Sequence, residues 1–389
     1  MKKAIFVKQA WEILPEFESR LNEIGYKSST VSEMIIAIRK LLKHLETVKE
    51  NEVCYDTVQN FINHFYSTAS ITRLRFVKTS CYKFLGYALS DDVFASPIAD
   101  VDNHYHGDYA DIIRIYELEA AEINQEYTIK KKLNAVDSFF NYLADHSISL
   151  PELSVPDILS YLNGKTCEEW QYIRKFLSWL FGRNMLPMDF SCFICPPKRV
   201  KKVPVVYSEE EIQKMIFSLD HNSHTYNRDR AILLLLAFTG IRSCDVVNLR
   251  YDNFDLKNKE LSLIQKKTGV PLKLKITDQI LEAVDNCFRY SRPDKCNDAL
   301  FLKANAPFLP ISTASVRHIV STAYERAGID ITGRKHGSHS LRSSLASAMV
   351  NNGIDYEIVR KTLGHTSTDS LSRHIRLDMN TTKKTACWS

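Results

Sequence analysis

The sequence predicts a mainly α-helical protein with one small antiparallel β-sheet. Apolar residues recur at helical spacing over residues 31–45, with basic residues between them, and similar stretches follow along the chain. Residues 261–264 and 271–276 instead alternate between apolar and polar side chains, on either side of the sequence Lys-Lys-Thr-Gly-Val. Two short strands around such a turn form a hairpin, so the expected sheet is small.

Length and composition indicate a globular protein of more than one domain. The chain has 389 residues, which suggests roughly two or three compact units. Hydrophobic residues make up 44% and charged residues 25%, with 12 glycines and 12 prolines, which excludes a fibrous or disordered class. The formal net charge of +5 permits nucleic-acid binding without requiring it, because a local basic surface matters more than the total.

Targeting signals and cysteine usage favour the cytoplasm. The first residues lack a continuous apolar segment and a small-residue cleavage site, so secretion is not expected. The apolar run at 231–238 is far shorter than the ~20 residues that span a bilayer. Nine cysteines without regular spacing are typical of a reducing compartment.

The amino-terminal half is predicted to contain two helical regions, 1–105 and 106–195. Residues 135–143 are similar to 37–45, and residues 157–162 are similar to 56–61. An internal duplication explains this similarity. Chance explains it equally, because any two amphipathic helix pairs look alike.

A basic linker is predicted at residues 196–205. Prolines at both ends disfavour helix and keep this segment extended. It carries four cations with no acidic neighbour, which are Lys198, Arg199, Lys201 and Lys202. We expect these cations to lie along phosphates, and the alternative is a solvated hinge.

Several local signals define the elements of the region from residue 206 onward. Ser208 and Glu211 form a capping box, which predicts a helix to about residue 218. An apolar helix over 228–238 should end at Gly240, and further helices are expected at about 313–327, 340–351 and 356–363. Lys267 falls at the tip of the predicted hairpin.

Five basic side chains follow in order through this region, and together they suit a phosphodiester. Two guanidiniums can bind phosphate oxygens, an ammonium can protonate a leaving alkoxide, and two imidazoles can hold or relay protons. Such chemistry needs no metal or other cofactor. The five residues are Arg242, Lys267, His339, Arg342 and His365.

This ordered set, with its local sequences Thr-Gly-Ile-Arg, His-Ser-Leu-Arg and Leu-Gly-His, resembles the tyrosine recombinase or phage integrase family. The resemblance covers roughly residues 205–376. It implies that 206–389 form a tyrosine-recombinase-type catalytic domain and that 106–195 form a helical core-binding domain on DNA. It also implies that the chain acts in site-specific recombination or DNA integration, breaking and rejoining strands without metal or ATP. The implied partners are double-stranded DNA and the other subunits of a homo- or hetero-tetrameric synaptic complex.

The resemblance also implies a role for each matching residue. Arg242 and Arg342 would stabilise charge on the phosphoryl group, and Lys267 would be the general acid. His339 and His365 would bind non-bridging oxygens. Asp245, one turn after Arg242, is expected to hold the Arg242 guanidinium.

The position of the family's nucleophilic tyrosine holds His374, nine residues after His365. Three interpretations follow. The chain could organise recombination sites as an inactive accessory subunit while an active recombinase cleaves, or His374 could itself be the nucleophile. Alternatively, His374 replaces the tyrosine of an otherwise active integrase. Ser370 and Ser372 are weaker nucleophile candidates.

Two interpretations from other classes were compared with this one. A non-enzymatic helical-repeat interaction protein would account for the similar amino-terminal segments, but not for the carboxy-terminal basic set. Cys192 and Cys195 with His221 and His224 could offer four zinc ligands. Their spacing does not suit a zinc finger, so no metal site is expected.

Overall fold

The computed structural model of the chain describes residues 4–95, 109–123, 126–197, 203–292, 298–364 and 375–376. They form two compact units, one of Met1–Pro15 with Ile36–Val200 and the other of Glu16–Ile35 with Lys201–Ser389. The described part is mainly helical with small antiparallel sheets, which confirms the predicted fold class. The division of the amino-terminal half at about residue 105 stays a prediction.

The first 200 residues contain eight helices and one two-stranded sheet among those described. Ile5 pairs with Val53 in that sheet, which the sequence patterns did not predict. The elements are β1 (Ile5–Phe6), α1 (Val7–Glu23), α2 (Ser28–Thr47), β2 (Glu52–Val53), α3 (Tyr55–Tyr66), α4 (Ile71–Ser90), α5 (Ala110–Ile123), α6 (Glu126–Asp145), α7 (Val155–Leu162) and α8 (Cys167–Phe181).

Helices α5 to α8 share one hydrophobic core. Its buried members all lie between residues 113 and 194. Aromatic rings fill its centre, where Phe140 meets Phe176 edge to face at 5.5 Å and Phe139 meets Tyr161 at 5.0 Å. Such aromatic pairs add to the stabilisation from buried area, so this core holds the four helices in a fixed arrangement.

The region from residue 203 onward contains seven further helices and a three-stranded antiparallel sheet among those described. The sheet has the order β3-β4-β5, and Leu261 pairs with Leu274 between its last two strands. The elements are α9 (Glu209–Phe217), α10 (Tyr226–Thr239), α11 (Ser243–Val246), β3 (Phe254–Asp255), β4 (Glu260–Ile264), β5 (Pro271–Lys275), α12 (Asp278–Asn286), α13 (Thr313–Arg326), α14 (Ser338–Asn351) and α15 (Tyr356–Leu363).

Helix α10 lies at the centre of the carboxy-terminal core. Residues 231–237 are all at most 4% exposed, and the helix packs against α12 and α14. A fully buried leucine or isoleucine contributes about 1.5–3 kcal/mol relative to exposure. The continuous apolar sequence of α10 therefore fixes the end of this helix, where Gly240 and Arg242 lie, relative to α14.

The predicted local elements of this region are confirmed within a few residues. Ser208 caps α9, with the Glu211 N–H donating to Ser208 Oγ at 3.2 Å and the Ser208 N–H donating to Glu211 Oε2 at 2.8 Å. Strands β4 and β5 form the expected hairpin, and α13, α14 and α15 match the three expected helices. The short strand β3 was not predicted.

We expect Ser208→Ala to lower the free energy of unfolding of the carboxy-terminal unit by about 1 kcal/mol, because one helix N–H loses its side-chain acceptor. Urea denaturation of the full chain measures this. Gln213→Ala, at an exposed position of the same helix, is the control and should change stability by less than about 0.5 kcal/mol. Equal effects of the two substitutions would contradict a role for the cap.

Candidate active site

The end of helix α10 places Arg242. Gly240 ends the helix in the left-handed conformation, with φ of 63°, and Arg242 then begins α11. A Cβ atom on Gly240 would lie 2.6 Å from Leu363 Cδ2 and 3.0 Å from Leu345 Cδ2. Both the backbone angle and this close packing require glycine, which explains the sequence Thr-Gly-Ile-Arg.

Arg342 is a buried cation that joins the ends of two helices. It lies on α14 and is 2% exposed. Its guanidinium donates through Nη1 to the Gly240 carbonyl and through Nη2 to the Leu363 carbonyl, the latter at 2.7 Å. Burial, followed by repulsion from Arg242, lowers the pKa of Arg342 to about 9, while Asp245 acts in the opposite direction. Anionic phosphate oxygens would relieve this destabilisation of the charged form.

Arg242 binds beside Arg342. Its Nη2 donates to the Gly364 carbonyl at 3.5 Å, and its Nη1 donates to Gln265 Oε1 at 2.7 Å. The two guanidiniums therefore use successive carbonyls, those of Leu363 and Gly364, where helix α15 ends. Carbonyls in the last turn of a helix have no partner within the helix and carry partial negative charge, so they are suitable acceptors for two cations.

His339 and Lys267 lie near these arginines. His339 is one turn before Arg342 on α14, and its ring has access to solvent. Partial loss of solvation lowers the pKa of His339, and positive charges from Arg342, Lys335, Lys267 and Arg242 lower it further. Lys267 is exposed on the turn between β4 and β5. The structure thus brings Arg242, Lys267, His339 and Arg342 together.

Eight of the predicted residues fall outside the described residues. They are Ser370, Ser372, Lys198, Arg199, Lys201, Lys202, His365 and His374. Described residues flank the last two positions: Gly364 is the αL cap of α15, and Ile375 packs on a small apolar cluster with Leu345 and Met349. The Arg376 N–H donates to Ser347 Oγ at 2.9 Å, which holds the 375–376 segment on α14.

Asp245 makes a different contact from the one expected. Its side chain is 3% exposed, and Oδ1 accepts the backbone N–H of Lys266 at 2.8 Å. The Arg242 guanidinium is instead bound by Gln265 and the Gly364 carbonyl. The Asp245 carboxylate therefore holds the β4–β5 hairpin, which carries Lys267, through the backbone N–H of Lys266. It favours the charged form of Arg342 through space.

Gln265 is a central polar residue of the site that the sequence patterns did not identify. It is fully buried, and its Oε1 accepts from Arg242 Nη1 and, at 2.8 Å, from Thr268 Oγ1. Its Nε2 donates to the Leu363 carbonyl at 3.1 Å. An amide suits this position because it accepts and donates at once. Gln265 thereby links Arg242, the hairpin that carries Lys267, and the end of α15.

The glycine of Leu-Gly-His is required by Gln265. Gly364 has φ of 63°, and a Cβ atom there would lie 2.6 Å from both Cδ and Oε1 of Gln265. Cβ atoms in proteins essentially never lie within 3.0 Å of such atoms, so the Gln265 side chain would have to move. The sequence motif therefore reflects close packing as well as the turn after α15.

A cavity of about 630 Å³ adjoins His339. Its basic lining residues are Arg317, Lys335, His336 and His339, and serines complete much of the wall. No carboxylate is among the residues that line it, so the cavity favours an anion.

The described part of the chain contains no group of three or more His, Cys, Asp or Glu side chains that could hold a metal ion. Cys192 and Cys195 are both exposed. Among the described helices, none is long and apolar enough to cross a membrane.

Comparison with known proteins gives the family of the carboxy-terminal region. Residues 206–381 match the phage integrase family. This region is therefore similar to the phage integrase family. The match covers every carboxy-terminal residue considered above, which supports the family inferred from the ordered basic residues.

Curated relatives and solved structures agree with this family. Tyrosine recombinase XerC of Staphylococcus epidermidis is 22% identical over 284 residues, covering 69% of this chain and 93% of the relative. XerC of Lactobacillus delbrueckii subsp. bulgaricus is 28% identical over 214 residues, covering 53% and 70%. The XerH recombinase bound to its difH substrate has a TM-score of 0.53 at 16% identity, covering 85% of this chain and 94% of that one. A lambda integrase dimer bound to a COC′ core site has the same TM-score and identity, covering 68% and 93%. These two structures share the fold with this chain.

We expect Gly364→Ala to lower the free energy of unfolding more than Gly353→Ala, by at least about 1 kcal/mol. Both glycines have positive φ, of 63° and 78°, so both substitutions strain the backbone. Only at Gly364 does the new methyl group also meet the Gln265 amide, whereas nothing lies within 4 Å at Gly353. Urea denaturation of the full chain measures the difference, and equal losses would contradict the close packing of Gln265.

Proposed function

We propose that this chain is a DNA-binding protein of site-specific recombination, in which Arg242, Arg342, Lys267 and His339 surround one phosphodiester of the DNA backbone. The observation that carries this proposal is the pair of guanidiniums on successive carbonyls at the end of α15. Two cations so close together repel each other unless an anion lies between them. A phosphate offers that anion and accepts hydrogen bonds from both guanidiniums.

Each side chain has a distinct task in this proposal. Arg242 and Arg342 bind the non-bridging oxygens and stabilise the charge that develops on phosphorus during in-line attack. His339, whose lowered pKa leaves its ring neutral at pH 7, can donate one N–H to a non-bridging oxygen. Lys267, on its exposed turn, donates a proton to the leaving 5′ oxygen. Gln265 and Asp245 hold Arg242 and the lysine hairpin in place.

We further propose that a tyrosine-bearing partner supplies the nucleophile. Position 374 holds histidine, and imidazole has a shorter reach than a phenol and forms a more labile bond to phosphorus. In this scheme the chain binds and organises a recombination site within a synaptic complex, homo- or hetero-tetrameric, while the partner's phenolate attacks phosphorus and the 5′ oxygen leaves with a proton. A His374 nucleophile is the second candidate, favoured by its location at the position of the family's tyrosine.

The basic linker extends the proposed DNA contact. Lys198, Arg199, Lys201 and Lys202 immediately precede the tyrosine recombinase domain, which begins at residue 206. Residues 203–205, which follow these cations, line the anion-favouring cavity beside His339. A DNA strand bound at the arginines could therefore continue past the cavity towards the linker.

A nicked duplex that traps covalent intermediates tests whether this chain or a partner supplies the nucleophile. Its sequence is first recovered by selecting duplexes that the full chain binds from a random-sequence library and footprinting the chain on them. We expect the native chain to bind this duplex without forming a covalent adduct, and His374→Tyr to form an adduct that survives denaturation. His374→Phe is the matched control, because it presents the same kind of ring without the hydroxyl group and should form none.

The other outcomes decide between the candidates. An adduct of the native chain that disappears in His374→Phe would establish a histidine nucleophile and overturn cleavage by a partner. Tight binding by His374→Tyr without any adduct would show that the arginines, Lys267 and His339 are not arranged for cleavage.

Proton uptake on DNA binding tests the role of His339. Burial and, after it, the neighbouring cations lower the pKa of His339 below its ordinary value near 6.5, so a phosphate that neutralises those cations should raise this pKa. The chain should therefore take up protons when it binds DNA near pH 6, and by linkage binding should strengthen as the pH falls through that range. Titration calorimetry in buffers of different ionisation enthalpy measures this uptake.

His339→Gln should abolish most of the uptake, whereas His221→Gln, at an exposed position, should not. Uptake that persists unchanged in His339→Gln would place the phosphate away from this ring.

A further inference from the structure

The helices of the amino-terminal half occur twice in the same order. Helices α2, α3 and α4 have 20, 12 and 20 residues, and α6, α7 and α8 have 20, 8 and 15. Each series is preceded by one further helix, α1 or α5. Similar order alone is weak evidence, since helical proteins often contain such series.

Buried positions agree between α2 and α6 at a single shift. Ile38 and Val136, which differ by 98 positions, are both buried. The same shift relates Leu41, Leu42 and Leu45 to Phe139, Phe140 and Leu143, all of them buried. It also relates Lys49 to Ser147, which have the left-handed φ angles of 58° and 54° just after the two helices. A left-handed residue other than glycine is uncommon, so its recurrence at the same place argues against chance.

The next two helix pairs agree equally well. Val58 and Ile158 differ by 100 positions, and Val77 and Ile173 differ by 96. At these shifts the buried residues Phe61, Ile62, Cys81 and Phe84 correspond to the buried residues Tyr161, Leu162, Leu177 and Leu180. Apolar burial is thus reproduced on the same face of each helix.

Helix caps recur as well. The Cys54 N–H donates to the Thr57 side chain at the start of α3, and the Ser154 N–H donates to the Asp157 side chain at the start of α7. Ser70 caps α4 and Thr166 caps α8, each accepting the backbone N–H three residues later. Thr57 therefore corresponds to Asp157, a shift of 100 positions. The sequence comparison of 56–61 with 157–162 used a shift of 101, so it was wrong by one residue.

The outward face of α4 is basic. Arg75, Lys78 and Thr79 are exposed there, and their counterparts on α8 are Gln171, Arg174 and Lys175, also exposed. Each face thus carries two cations among three positions. Within the described residues neither Arg75 nor Lys78 forms an ion pair. The whole of α4 contains four basic residues and no acidic one, whereas α8 contains Glu168 and Glu169.

We propose that the segment α2–α4 is a second duplex-DNA-binding module, a repeat of α6–α8, and that Arg75 and Lys78 of α4 bind phosphates of the duplex. This inference rests on the proposed function, because it takes α6–α8 as part of a core-binding domain on DNA. Charge complementarity selects the ligand: two adjacent exposed cations on a helix without carboxylates suit a regular polyanion. The chain would then contact DNA through two repeats and the recombinase domain.

The salt dependence of binding by the full chain tests this proposal. The probe is a fluorescent duplex of mixed sequence, and the observable is the slope of log K against log of the salt concentration. Each lost phosphate contact reduces that slope by about 0.9, so Arg75→Gln with Lys78→Gln should reduce it by about 1.8. Two double variants are compared with it: Arg174→Gln with Lys175→Gln in the other repeat, and Lys8→Gln with Lys257→Gln at exposed positions elsewhere.

Helix content and thermal unfolding, followed by circular dichroism, are expected to remain unchanged because all six positions are exposed. An unchanged slope for the α4 variant together with a reduced slope for the α8 variant would overturn the second module and leave the proposed function intact. An equal reduction by the Lys8 and Lys257 variant would assign the effect to net charge and also overturn the proposal. A native chain without salt-dependent duplex binding would overturn the proposed function itself.

Discussion

The arrangement of the site depends on the last turn of helix α15. Its terminal carbonyls accept hydrogen bonds from Arg342, Arg242 and Gln265, three side chains that come from distant parts of the sequence. Arg342 also binds the end of α10, and Gln265 begins the turn between β4 and β5 that carries Lys267. Buried polar groups of this kind are costly unless satisfied, so each of these contacts depends on the others. The site is therefore one cooperative network rather than a set of independent surface residues.

Two glycines allow the helix ends and side chains of this network to pack closely. Gly240 and Gly364 end α10 and α15 in the same left-handed conformation, and each is packed against side chains that a methyl group would displace. The Leu363 side chain packs against Gly240, and the Leu363 carbonyl accepts a hydrogen bond from Arg342. The two short motifs Thr-Gly-Ile-Arg and Leu-Gly-His are thus parts of one packed contact, although 122 positions separate Arg242 from Gly364.

Local elements could be predicted from the sequence, because helix caps, the hairpin alternation and the apolar run of α10 depend on neighbouring residues. The contacts that hold the cations, made by Gln265 and Asp245, could not be predicted from the sequence. Gln265 is an ordinary polar residue in the sequence, and its importance comes from Leu363, 98 positions away. Asp245 similarly bonds to the backbone of Lys266 rather than to the nearby Arg242. The similarity of residues 37–45 to 135–143 was visible in the sequence at the same register as the buried positions, whereas that of 56–61 to 157–162 differs by one residue from the register given by burial and caps.

The short segment after the nucleophile position is joined to the same packing that supports the buried arginine. The Arg376 N–H donates to Ser347 Oγ, and Ile375 packs on the apolar cluster of Ala346, Val359 and Leu363. The carbonyl of Leu363 accepts a hydrogen bond from Arg342. Loss of packing at Ile375 would therefore loosen the residue whose carbonyl orients the Arg342 guanidinium.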